Sequence, residues 1–247
     1  MTIETNKDIT ELKNIGKIVA DTLRLMMNKA RPGMSTAELD QIGGEYLNSF
    51  GARSAPKLTY NFPGFTCISL NENIAHGLPS DKILIKEGDL INIDVSAELN
   101  GYFADTGGSF VLGKSSEIQK KVMKATREAL NAAVSVVKAG TPINQIGKQI
   151  EKVARKHQLK VIKNLGSHGV GRALHEEPEF IAGFFDPNDR RILQEGQVIT
   201  IEPFLSTKTE FIKEAKDGWT LYGEKGNIAA QYEHTMIITK SGAIVVT

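Results

Sequence analysis

The sequence has one cysteine, one tryptophan and almost no net charge. Cys67 has no partner for an internal disulfide, and thiolate zinc sites need several cysteines. Lys and Arg number 30 against 29 Asp and Glu, giving +1, so the basic footprint of a nucleic-acid or anionic-membrane protein is missing. No apolar run approaches the ~18 residues of a membrane span. The opening MTIETNKDIT does not follow the basic-then-apolar order of a secretory signal. These absences predict a folded, cytoplasmic chain with no membrane attachment and no nucleic-acid specificity. The remainder is ordinary for a globule: 247 residues, 40% hydrophobic and 24% charged. That length can bury about three quarters of the surface exposed by the unfolded chain, without staples.

Apolar residues at helical spacing, Leu12, Ile15, Val19, Leu23 and Met26, predict a first helix. Asp8 and Glu11 read as its capping box, and Arg31-Pro32-Gly33 as its end. A second helix is expected from Ser35, with Glu38 three residues on, to Phe50-Gly51-Ala52. The segment from Ala55 to Asn73 is rich in Pro, Gly and Asn and predicts one short strand, Phe65–Leu70. Residues 83 to 112 read as strands joined at Asn100-Gly101, the favoured pair for a two-residue hairpin turn. Another helix is predicted from Ser116 to Lys138. The next opens with Thr141 as cap and Pro142 in its first turn and runs to His157. Strand-like runs return at Lys160–Lys163, Gln197–Leu205 and Gln231–Thr239.

This restart repeats a pattern. Residues 87–94, EGDLINID, align with 195–202, EGQVITIE, at a shift of 108, and Gly33 and Gly140 lie 107 apart. The chain therefore reads as one α+β domain, 1–247, of two pseudo-symmetric halves, about 1–113 and 114–247. Each half carries two helices and a piece of antiparallel sheet.

The acids are unusual in their placement. Asp94 and Glu202 occupy equivalent positions, each after an Ile-x-Ile run that must be largely buried. Carboxylates are almost never fully buried unless paired or bound to metal. If Asn100-Gly101 is the turn, Ser96 pairs with Asp105. Asp94 and Asp105 then share a face as diagonal neighbours, ~7–8 Å apart at Cα. The pair alone is also compatible with a wet sheet face carrying two solvated aspartates. Pseudo-twofold symmetry would bring Glu202 near Asp94, and Glu233 lies in the strand after Glu202 as Asp105 follows Asp94. Four acids then converge on one centre, which calls for a cation.

Five histidines complete the inventory. His157 sits on a charged helix end and reads as solvated surface. His234 points away from its neighbour Glu233. His76, His168 and His175 lie in glycine-bearing loops, and spacing alone does not decide which of them are ligands. Carboxylates and imidazole without thiolate form a hard set that favours Mn²⁺, Fe²⁺, Co²⁺ or Zn²⁺ in a two-metal catalytic site over structural zinc. Metal-assisted hydrolysis is the reaction class this implies.

The strings Asn92-Ile93-Asp94-Val95, Ala104-Asp105-Thr106-Gly107, His168-Gly169-Val170-Gly171, Leu174-His175-Glu176-Glu177-Pro178, Ile201-Glu202-Pro203 and Gln231-Tyr232-Glu233-His234-Thr235 resemble type I methionine aminopeptidases. The resemblance runs from the first helix to the C-terminus and is closest to the short bacterial form. It implies the pita-bread fold, an internally duplicated, pseudo-twofold antiparallel sheet covered by helices on one side. It implies that Asp94 chelates one of two divalent ions, that Asp105 and Glu233 bridge both, and that His168 and Glu202 complete the other. Co, Mn, Fe(II) and Zn all fit. His76 and His175 become substrate-side groups at the scissile amide, and Glu202 also the acid/base serving an attacking metal-bridged water. Phe62, Cys67 and Trp219 match the lining of an apolar methionine pocket, where thioether–aromatic contact is favourable. The implied function is removal of the initiator methionine from nascent chains whose second residue is small. The implied protein is a monomer in transient contact with the ribosome. Two departures stand out: Ser167, where many members have glycine, and Leu174, where an aromatic is frequent. Alternative readings are an X-Pro-specific pita-bread aminopeptidase and a non-catalytic pita-bread binding protein.

Overall fold

A computed structural model describes residues 1–247. Five helices form: α1 (Asn6–Lys29), α2 (Thr36–Ser49), α3 (Ala55–Tyr60), α4 (Glu117–Val134) and α5 (Asn144–Lys156). Thr5, not Asp8, caps α1. Its hydroxyl accepts the Asp8 N–H at 3.3 Å while the Asp8 carboxylate accepts the Thr5 N–H at 2.8 Å. Asp8 thus fills the third position of the capping box, a role expected for Glu11. Ser35 with Glu38 caps α2 as expected, and Ser116 with Gln119 caps α4. Helix α4 stops at Val134 rather than Lys138. Val136 and Val137 donate to Ala133 and Val134, three residues back, so the chain tightens and leaves the helix. Helix α5 begins at Asn144 rather than Pro142, with no side-chain cap. The Thr141 carbonyl accepts from Leu193 at 3.0 Å and the Ile143 N–H donates to Arg191 at 2.8 Å, which draws this segment into strand-like pairing.

Helix α3 lies in the stretch whose composition pointed only to loop and strand. Ser54 caps it, Pro56 sits in its first turn, and Asn61 ends it at φ 56°. The hairpin pairs Leu90–Leu99 with Tyr102–Val111 in the expected register, Leu99 opposite Tyr102 and Ser96 opposite Asp105. Asn100 and Gly101 both take positive φ, 55° and 81°, as a primed two-residue turn requires. Cys67–Leu70 and the short Arg53–Ser54 flank the Leu90–Leu99 strand.

In the second half, Val198–Ile201 pairs with His234–Ile238 and with Gly166–Gly169. Glu176–Ala182 and Ala243–Val245 form the edges of this sheet. The expected strands Gln197–Leu205 and Gln231–Thr239 are each broken. Phe204–Ser206 and Ala229–Gln231 pair separately, because Pro203 has no N–H to continue the ladder and the Glu233 N–H turns to the Gly107 carbonyl at 3.0 Å.

The duplication recurs bond for bond. Gly33 donates to Ile85 and Gly140 to Leu193; Ile85 donates to Met34 and Leu193 to Thr141; Thr36 donates to Ile83 and Ile143 to Arg191. Each half centres an apolar cluster under its helices, and Val170, Val198, Ile237 and Val246 of the second half complete the first cluster. Leu12, Ile15, Val19, Ile91 and Ile93 centre the first, and Val122, Ile146, Ile150, Ile199 and Ile201 the second. Helices α1 and α2 pack on the hairpin and the strands that flank it, and α4 and α5 on strands of the second half. The halves join along a polar seam. There the Asp105 N–H donates to the Thr235 hydroxyl at 2.9 Å, that hydroxyl donates to the Asp105 carbonyl at 2.8 Å, and the Thr106 hydroxyl donates to the Glu233 carbonyl at 2.9 Å.

Candidate metal centre

A cavity of about 270 Å³ opens beside the seam. Asp94, Asp105, His168 and Glu202 line its floor, with Phe62, Cys67, Phe204 and Trp219 among its walls. The hairpin register puts Asp94 and Asp105 on one face, and Cys67 opposite Asp94 on the neighbouring strand joins that face. Glu202 and Glu233 sit at the two strand breaks, where the backbone is free to turn their carboxyls to the seam. His168 occupies a register shift between Ser167 and Gly169, the kind of irregularity that re-aims a side chain.

One ligand atom from each of Asp105, His168 and Glu233 lies within 4.8 Å of the others. His168 Nε2 stands 3.5 Å from Glu202 Oε1 and 4.0 Å from Asp105 Oδ2. Its Nδ1 is 2.9 Å from the Gly169 carbonyl. A carbonyl can only accept, so Nδ1 carries the proton and Nε2 presents a lone pair to the acids. That orientation suits a metal-ligating imidazole. Burial pushes the His168 pKa down to about 3, with His175 adding to the effect, so the ring is neutral.

The carboxyls show the opposite strain. Burial raises Asp94 to about 6. Burial first, then the neighbouring negative charges, pushes Asp105, Glu202 and Glu233 well above the ordinary carboxylate range. Asp105 Oδ1 and Glu233 Oε1 are buried with no hydrogen-bond partner. Orphaned carboxylate oxygens beside an imidazole lone pair, in a set without thiolate, fit divalent cations of the harder transition metals.

His76 and His175 both line the cavity, as does Tyr60, whose hydroxyl is 2.6 Å from His175 Nδ1. The His175 and His168 rings are 4.1 Å apart. Phe62 meets Trp219 edge-on at 5.1 Å, giving the cavity an aromatic wall. Cys67 is buried, and burial followed by the Asp94 charge holds its thiol well above its usual pKa, so it acts as a small apolar surface. His234 bonds Thr247 away from the cavity. His157, expected as solvated, is half-buried and lies 2.7 Å from Glu128 Oε2.

Several contacts near the centre carry no sequence signal. Ser167 accepts the Glu202 N–H through its hydroxyl at 2.9 Å and so fixes that strand break. Asn92 donates to Gln231 Oε1 at 2.9 Å, which turns the Gln231 amide to donate to Glu233 Oε2 at 3.0 Å. Leu174 is buried in the cavity wall.

Residues 10–240 match the model of metallopeptidase family M24, and the chain belongs to that family. The methionine aminopeptidases of the family are its relatives. It is 46% identical to methionine aminopeptidase 2 of Bacillus subtilis over 247 residues, covering 100% of this chain and 99% of that one. The structure is similar to the methionine aminopeptidase of Thermotoga maritima, with a TM-score of 0.95 and 31% identity, covering 100% of this chain and 99% of the other. A prolidase from Pyrococcus furiosus shares the fold at a TM-score of 0.77 and 24% identity, this chain covering 65% of its length. The fold is thus the internally duplicated pita-bread arrangement of α+β type, with helices on one side of its antiparallel sheets.

Proposed function

We propose that the protein removes the initiator methionine from nascent polypeptides whose second residue is small, using two divalent metal ions. The observation that carries this reading is the convergence of Asp94, Asp105, His168 and Glu202 at the floor of an aromatic-walled cavity, with Glu233 buried beside Asp105 and His168 and two carboxylate oxygens left orphaned. In this reading Asp94 would help hold one ion, His168 with Glu202 would help hold the other, and Asp105 and Glu233 would serve both. Co, Mn, Fe(II) and Zn each suit these donors. Bound there, the ions would supply Lewis acidity at the scissile carbonyl and a nucleophilic water near neutral pH. Glu202 takes the proton from the attacking water and delivers it to the leaving amine. Its burial beside Asp105 favours holding a proton between the two steps. His76 and His175 offer ring N–H groups to the scissile amide from the cavity mouth. Phe62, Cys67 and Trp219 receive the methionine side chain, where sulfur packs against ring edges.

The whole chain acts as one catalytic domain of two halves, about 1–113 and 114–247. It works as a cytoplasmic monomer in transient contact with the ribosome. No helix is long and apolar enough to cross a membrane. Peptide hydrolysis provides the test. Protein loaded with Mn²⁺ or Co²⁺ cleaves Met-Ala-Ser after the methionine, leaves X-Pro peptides intact, and stops when chelated. Folded, metal-loaded protein that leaves Met-Ala-Ser uncut would refute the proposal.

A further inference from the structure

We infer that Tyr60 is a positioning residue that sets the tautomer of His175, so that this ring presents an N–H, not a lone pair, to the cavity. The inference rests on the substrate-side role of His175 proposed above. Two imidazoles lie 4.1 Å apart at this site, and their Nδ1 atoms have opposite kinds of partner. His168 Nδ1 faces a carbonyl, which can only accept, so its Nε2 is left as a lone pair. His175 Nδ1 faces the Tyr60 hydroxyl at 2.6 Å. A phenol is a better proton donor than acceptor, and a neutral imidazole nitrogen is the stronger base of the two. The bond is therefore O–H···N, Nδ1 is the acceptor, and the single ring proton resides on Nε2.

The difference is chemically useful. A lone pair toward the acids makes His168 a ligand. An N–H on His175 can donate to a peptide carbonyl oxygen, most strongly as negative charge develops there. The other tautomer would point a lone pair at that oxygen and oppose binding. Tyr60 is well placed for this duty. It is the last residue of α3, and Asn61 at φ 56° closes the helix just behind it. Ser54 caps the start of the same helix, and Phe62 follows at once in the cavity wall. Tyr60 keeps 45% of its surface exposed, so it is not held by core packing, and His175 is the hydroxyl's hydrogen-bond partner.

Nitrogen-15 spectra of the histidine rings test the inference in chelated and in zinc-loaded protein, alongside kinetics on Met-Ala-Ser. In the unmodified protein His175 should show a protonated Nε2 and a hydrogen-bonded, unprotonated Nδ1, with His168 reversed. In Tyr60→Phe the His175 Nδ1 signal should move to the position of an unbonded nitrogen. There kcat should fall about tenfold through loss of one positioning hydrogen bond, with KM and zinc content unchanged. A proton on His175 Nδ1 in the unmodified protein would overturn the inference. So would Tyr60→Phe protein with kcat or His175 signals unchanged. If the unmodified enzyme does not cut Met-Ala-Ser, the proposed function fails, while the chelated-protein spectra still decide the Tyr60–His175 pairing.

Discussion

Replacing a metal ligand usually weakens a metalloprotein, yet at Asp94, a proposed ligand, Asp94→Asn is expected to stabilise this chain in chelator. In the folded chain Asp94 keeps its proton up to about pH 6, against an ordinary value of 3.8, because burial penalises its charge. A carboxyl whose pKa folding raises adds stability in full below its unfolded value and loses it as pH rises through the folded value. The window is therefore about pH 4 to 6. Two pKa units correspond to on the order of 3 kcal/mol. On the order of 2 kcal/mol of that lies between pH 4.5 and 7.5, which also allows for the edge Asp94 leaves on the cavity. Asn at this position is neutral at every pH, so it avoids the loss. In chelator, Asp94→Asn should melt roughly 4–8 °C above the unmodified protein at pH 7.5 and approach it at pH 4.5. Neutral buried His168 trends the other way, gaining stability as pH rises, but it is present in both proteins and cancels in the comparison. Saturating Mn²⁺ should reverse the order, because the unmodified protein gains binding energy that the variant loses. Melts followed by circular dichroism at the two pH values, with and without chelator, measure all of this. If chelated Asp94→Asn is no more stable at pH 7.5, the cluster is not electrostatically frustrated and the reasoning fails.

Asp105→Ala and Glu233→Ala should each lose metal and activity together, since both are proposed to bridge, whereas His175→Ala should keep its metal and lose turnover. Elemental analysis beside kinetics separates these outcomes. Ser167→Ala orphans the Glu202 N–H and should cost about 1–3 kcal/mol by urea unfolding, with kcat reduced more than KM. Asp8 is held well below the usual carboxylate range, first by the Tyr102 hydroxyl at 2.8 Å and also by backbone N–H groups of Glu4 and Thr5. Its contribution is present above about pH 4 and lost as pH falls. Asp8→Asn should therefore be less stable at pH 7, with the gap from the unmodified protein closing in acid melts below pH 4.

The hairpin was legible because its turn residues and its period-two pattern fix the register, and the register alone places Asp94 beside Asp105. The second pair was harder to read. Glu202 and Glu233 sit where strands break, and a continuous apolar pattern does not announce a break apart from the missing N–H of Pro203. Helix α3 was hidden by its composition, since six residues are too few to show a period. Ser167, Gln231 and Tyr60 act through contacts more than thirty residues away in sequence or through a neighbour's side chain. Local patterns carry no trace of such contacts. The gly-rich surroundings of His168 and His175 likewise concealed two strands, Gly166–Gly169 and Glu176–Ala182, that bring the rings together.

The polar seam has a consequence for when activity can arise. The first half holds Asp94, Asp105 and the substrate-side His76, but no imidazole proposed to hold metal. His168 and Glu202 come later in synthesis, and Glu233 later still. A ribosome making this chain therefore releases no hydrolytic centre until residue 233 has emerged and met Thr106 across the seam. A product truncated before that point lacks Glu233 and is inert toward every amino terminus around it.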